Sequence, residues 1–205
     1  MDRRQFLASG SIVLGFSIAG CLTGELGRGD DTDASRVVSV ESQSQDIADH
    51  EIAFEVEVVS PQLDDETPAR VRKTVFNHSA DDVRLLGGNR NVFGETSSDD
   101  ADGLWLLSPG REDEAARSDD GCWMVEPPVG RTEELGQTQI DAGDSATVES
   151  DIYGETEQID GNCPDEGTYH FGQSYTLETR ADSDSEESQW ERTDDFEWGF
   201  TLRVE

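Results

Sequence analysis

Apolar and polar residues alternate along several stretches of this chain with the two-residue period of a strand that buries one face. In 52–58, Ile52, Phe54, Val56 and Val58 alternate with Ala53, Glu55 and Glu57. The pattern is cleanest at 196–205, where Phe196, Trp198, Phe200, Leu202 and Val204 take one side and Glu197, Thr201, Arg203 and Glu205 the other. Val37, Val38 and Val40 predict a first strand, and Pro61 with the acidic 64–66 ends the second. A third strand is expected over 69–77, with Val71 and Val75 on one face and Lys73 between them. The polar run 77–82 reads as a turn and 83–86 as the returning strand. Further on, 104–107 predicts a strand, 140–144 a turn and 145–153 another strand. Tyr169, Phe171, Tyr175 and Leu177 would line one face of the next strand, with the acidic 182–195 a loop leading to the last. The section 87–128 is the least regular, and 111–120 reads as a loop or a short helix. No long helical period and no internal repeat is present, so the expected class is all-β.

The run Asp165-Glu166-Gly167-Thr168-Tyr169-His170-Phe171 resembles the tyrosine corner that opens strand F of immunoglobulin-like domains. In that motif the tyrosine hydroxyl bonds back to upstream backbone, two residues before a frequent cysteine. Phe171 stands at that position, so the usual inter-sheet disulfide is not expected. The resemblance implies an immunoglobulin-like β-sandwich with an irregular inserted middle section. The Asn77 turn, the Gly103-Leu104-Trp105 strand, the Ala142-Gly143 turn and the Gly167-Thr168-Tyr169 strand loosely resemble the intracellular proteinase inhibitor family. That likeness rests on framework features and implies proteinase inhibition as an alternative binding function.

The N-terminus has a different texture. Arg3 and Arg4 precede a run of apolar and small residues, 6–20, that ends at Cys21. A positive n-region, a short apolar stretch and small residues at a break point make up an export signal. From Ala8 onward the run holds only about 13 residues, against roughly 20 for a spanning helix. It resembles a twin-arginine signal, carried by Arg3, Arg4, Phe6 and Leu7, joined to a lipoprotein box ending at Cys21. Asp2, Ala8 and Ile18 depart from the usual residues of such signals but leave the arginine pair and the Gly20-Cys21 junction intact. The resemblance implies lipidation of Cys21, which becomes the new N-terminus with a two-chain anchor, and two chains hold a membrane stably. The protein would then sit on the extracytoplasmic face of the membrane. Domain boundaries follow: signal and lipobox at 1–21, a Gly- and Asp-rich linker at 22–35, and the sandwich at 36–205. The linker's reach is about 20 Å by flexible-chain scaling.

Charge sharpens this picture. The chain has 47 acidic and 15 basic residues, a net charge of −32, and Lys73 is its one lysine. Such a charge strains a compact fold in dilute buffer. At about 1 M salt the screening length falls to roughly 3 Å and the repulsion is largely removed. The composition resembles that of halophilic archaeal proteins. Disorder is the rival reading of an acidic chain, and four Trp, eight Phe and clear alternation oppose it. A nucleic-acid partner is not expected, because phosphate binding needs a basic footprint.

With Cys21 lipidated, Cys122 and Cys163 remain, and in an exported domain the expectation is one disulfide between them. Closing that loop of about 42 residues would contribute roughly 4 kcal/mol. His50, His78 and His170 raise the question of copper, but a blue-copper site needs two His and a Cys in a compact set. Cys163 lies seven residues before His170 and Met124 far upstream, so no metal and no cofactor is assigned. Ser98, Asp100, Asp102 and Gly103 echo the start of a calcium loop, yet Pro109 stands where an EF-hand needs Glu. Asn77-His78-Ser79 is a glycosylation sequon, and Asn77 is equally a residue suited to the turn it occupies. No catalytic residue can be named. The leading expectation is a non-enzymatic, lipid-anchored binding or structural module of the envelope, its partner an envelope protein or a glycan. The expected contact regions are 89–102 and 111–120, with Trp105 and Trp123 as recognition aromatics or as core. An exported hydrolase or redox lipoprotein is the alternative from another class.

Overall fold

A computed structural model describes residues 35–44, 50–64, 66–87, 93–99, 103–111, 115–117, 121–126, 136–159, 163–180 and 189–205. Thirteen strands occur among them. The first five are β1 (Arg36–Gln43), β2 (Ile52–Ser60), β3 (Gln62–Leu63), β4 (Arg70–Asn77) and β5 (Asp82–Gly87). The irregular middle holds β6 (Thr96–Ser97), β7 (Leu104–Leu107), β8 (Ala115–Arg117), β9 (Trp123–Val125) and β10 (Gln137–Ile140). The longest close the chain: β11 (Ser145–Glu155), β12 (Gly167–Arg180) and β13 (Glu191–Val204). Residues 1–34, which hold the signal residues Arg3, Arg4, Phe6, Leu7 and Cys21, lie outside the described residues.

Two sheets pack face to face. One runs β10-β5-β12-β13-β1-β3; the other runs β2-β4-β11-β7-β6, with β8 and β9 attached to it. The β4–β11 pair in one sheet and the β5-β12-β13 set in the other give the strand arrangement of an immunoglobulin-like sandwich. Alternation sets the inward faces as expected. Ile52, Phe54 and Val56 of β2 meet Tyr169, Phe171, Tyr175 and Leu177 of β12 and Trp198, Phe200, Leu202 and Val204 of β13 in one core. Trp198 stacks on Phe54 at 4.6 Å and on Phe93 at 5.4 Å, and Phe171 stacks on Phe200 at 5.2 Å. The Tyr169 hydroxyl donates to the Asp165 carbonyl at 2.7 Å, closing the tyrosine corner.

Three expectations change. The run after Asn77 is not a hairpin, since β4 and β5 belong to different sheets. The turn expected at 140–144 is present and carries the chain from β10 in one sheet to β11 in the other. Asn77 ties these two crossovers together. Its buried amide nitrogen donates to the Asp81, Ile140 and Asp141 carbonyls, and its oxygen accepts from Ser79. The stretch 191–195, read as loop, extends β13, because β12 itself continues to Arg180 and offers those residues a partner. Part of 111–120 is a strand: β8 pairs with β9, and β9 lies parallel to β11.

That middle section adds a second, smaller core outside the first. Leu104 and Leu106 of β7 point into the main core. Trp105 and Leu107 point the other way, against Val125 and Tyr153 with Ala115 and Trp123. The strand is therefore buried on both sides. Cys122 and Cys163, paired at 2.01 Å, fasten this layer to the chain just before β12.

A lysine lies in the core. Lys73 projects inward between Val71 and Val75 and is fully buried. Its Nζ donates to the Gly94 carbonyl at 3.3 Å. Burial pushes its ammonium down to about 7.

Candidate functional site

Glycine interrupts both strands of the long β12–β13 hairpin at the same level. Gly172 pairs with Gly199, flanked by His170 opposite Thr201 and Ser174 opposite Glu197. These residues alternate with inward-facing Phe171 and Trp198, so they lie on the outer face of the six-stranded sheet. At Gly199 a side chain is excluded by close approach: a Cβ there would lie 2.3 Å from the Phe171 carbonyl oxygen. The register of β1 shifts between Val40 and Ser42, and the chain beyond it continues along β13. The Ser44 N–H donates to the Gly199 carbonyl at 2.8 Å, and the Gly199 N–H donates to Ser44 Oγ at 3.1 Å. From the other side, the Asp99 N–H donates to the His170 carbonyl at 2.7 Å. That contact carries the Asp99 carboxylate over Gly172.

These pieces enclose an open trough of about 670 Å³ whose floor is bare backbone. Its walls are largely polar, drawn from β1 with Ser44, from β12 and β13, and from Asp99. The imidazole Nδ1 of His170 lies 3.0 Å from Thr201 Oγ1, in a pair whose hydroxyl is buried. An activated nucleophile needs a base that a third group holds in place. Among the described residues Thr201 is the sole hydrogen-bond partner of the His170 ring. The trough presents hydrogen-bond donors and acceptors in one shaped surface.

The other histidines are elsewhere. His50 sits 2.9 Å from the Asp194 carboxylate, and His78 stacks on Phe76. No group of three or more His, Cys, Asp or Glu among the described residues is placed to hold a metal ion. Ser98 is buried and its hydroxyl accepts from the Leu104 N–H, while Asp100 and Asp102 of the calcium-like run lie outside the described residues. Cys122 and Cys163 come together as expected, both in the core. In this fold the Asn77 nitrogen that a glycan would occupy is enclosed and engaged by three carbonyls, so the turn accounts for the whole amide. Trp105 and Trp123 are spent on packing: Trp105 Nε1 donates to Glu155 at 2.8 Å, and Trp123 meets Tyr153 edge to face. Of the expected contact regions, 89–92, 100–102, 112–114 and 118–120 lie outside the described residues.

Sequence reasoning passed over the trough, although the inward alternation of Tyr169 and Phe171 puts His170 on the opposite face. The available signal was Gly172 and Gly199, each interrupting a strand, where an isolated glycine marks a bulge or a close approach. No protein-family model, no curated protein and no solved structure matches this chain.

Proposed function

We propose that this protein is a non-enzymatic binding module of the cell envelope, held on the extracytoplasmic face of the membrane by lipid on Cys21. The Cys122–Cys163 pair is the observation that carries the reading. A disulfide joining two layers of a fold persists in an oxidising compartment and is rare in a reducing cytosol. That agrees with the compartment implied by Arg3, Arg4, Phe6, Leu7 and Cys21. A polar trough without an oriented catalytic base favours binding over turnover. The partner is a component of the envelope, and the acidic surface speaks against nucleic acid.

The test is mass spectrometry of the native polypeptide together with fractionation. The expected N-terminus is a lipidated Cys21, membrane-bound, and Cys21→Ser should release the protein into the soluble fraction. A pull-down from native envelope at multimolar salt, with the Ser variant as control, should recover a partner. A native polypeptide that begins at Met1, unmodified and cytosolic, overturns the proposal.

A further inference from the structure

The geometry points to the trough over Gly172 and Gly199 as a binding site for a neutral, hydroxyl-rich ligand, a short glycan segment laid flat against the sheet. This rests on the reading of the chain as an exterior binding module. Three observations carry it. The first is size: about 670 Å³ falls within the range of small-molecule sites, about 300–1,000 Å³.

The second is the chemistry of the walls. Asp99 and Glu197 supply carboxylate acceptors, Ser174 a hydroxyl, and neither these groups nor His170 Nε2 has a hydrogen-bond partner among the described residues. Among the described residues no lysine or arginine lines the trough. A phosphate, sulfate or uronate would meet two carboxylates and no cation, inside a chain of net charge −32. An apolar ligand would strand these polar groups without partners. A neutral polyol supplies hydroxyl donors to the carboxylates and acceptors to the serine, and its hydrogen bonds survive the salt that screens charge.

The third is Gly172. A glycine inside a strand weakens it, and one with no backbone need for glycine marks a place where something approaches closely. Its partner Gly199 is explained by the Phe171 carbonyl. Gly172 is not: its φ lies outside the left-handed region, and an added Cβ would meet only Asp99 Oδ2, at 3.4 Å. The missing side chain keeps the floor open, and a larger one would stand in the trough.

The experiment uses the full chain with Cys21→Ser, at multimolar salt, on an array of neutral hexose, N-acetylhexosamine, uronate and sulfated oligosaccharides. Neutral members should bind selectively, and Gly172→Leu and Asp99→Asn should each weaken the best of them about tenfold or more. Glu57→Gln, on the opposite sheet, should leave binding unchanged. Circular dichroism of each variant reports folding; should Gly172→Leu fail to fold, Asp99→Asn carries the comparison. The proposal is overturned if no neutral member binds, if charged members bind better, or if the folded trough variants bind as the parent does. Capture of an envelope protein without array binding removes the glycan site and leaves the exterior module. Array binding by a chain found unmodified in the cytosol does the reverse.

Discussion

Replacing Lys73 with Met tests how the core tolerates its one amine. Lys73 is fully buried, with the Gly94 carbonyl as its one hydrogen-bond partner among the described residues. Burial disfavours the charged form and lowers the pKa from 10.5 to about 7. Above about 10.5 the amine is neutral in both the folded and the unfolded chain, so it carries no ionic penalty. Between about 10.5 and 7 the unfolded chain binds a proton that the folded chain refuses, and stability falls as pH falls. Below about 7 both states are charged and the penalty is complete. One pKa unit corresponds to about 1.4 kcal/mol, so the full penalty is roughly 5 kcal/mol. Methionine has a similar volume and no charge, and forfeits a single hydrogen bond of about 1 kcal/mol. Urea unfolding at fixed multimolar salt should therefore find Lys73→Met several kcal/mol more stable than the parent at pH 6.5. The gap should shrink by about 3 kcal/mol on going from pH 7 to 9.5. Parallel stability curves for the two proteins across that range would refute the reasoning, because they would require an amine as well solvated in the folded chain as in the unfolded one.

Four further outcomes are expected. Cys122→Ser with Cys163→Ser should lower unfolding free energy by about 4 kcal/mol, and a reductant should do the same to the parent and nothing to the double variant. Tyr169→Phe removes the hydroxyl that bonds Asp165 and should cost about 1 kcal/mol by denaturant titration. Asn77→Ala strips the donors that join two inter-sheet turns and should cost about 3 kcal/mol, read as a lower thermal midpoint. Dialysis into dilute buffer should unfold or loosen the domain through self-repulsion of its net charge of −32; an unchanged circular dichroism spectrum there would contradict the charge argument.

The inward faces of β2, β12 and β13 were legible in the sequence because period-2 alternation is local: each residue's side follows from its neighbour's. Tyr169 was legible for a similar reason, since its partner Asp165 lies four residues upstream. Cys122 and Cys163 could be paired by arithmetic once Cys21 was set aside. The long β12–β13 hairpin was half visible, its tips hidden because acidic residues mask a strand whose stability comes from the partner strand.

Local pattern has no access to the direction a chain takes after a turn. Asn77 and the residues after it read as a turn to a returning strand, yet three carbonyls from two separate turns converge on its amide and the chain crosses the sandwich there. Burial of both faces of β7 required Tyr153 of β11 together with Ala115, Trp123 and Val125 of the β8–β9 pair, which cover Trp105 and Leu107. Lys73 was already in line with Val71 and Val75, but its lowered pKa comes from a burial that only the folded chain supplies. The trough draws its walls from β1, Asp99 and the β12–β13 hairpin, three places far apart in the chain. Sequence alone determined which residues turn inward, because that is a property of one strand. Tertiary structure decided which strands meet and what surface they share, because pairing and packing are energies between segments that no single segment carries.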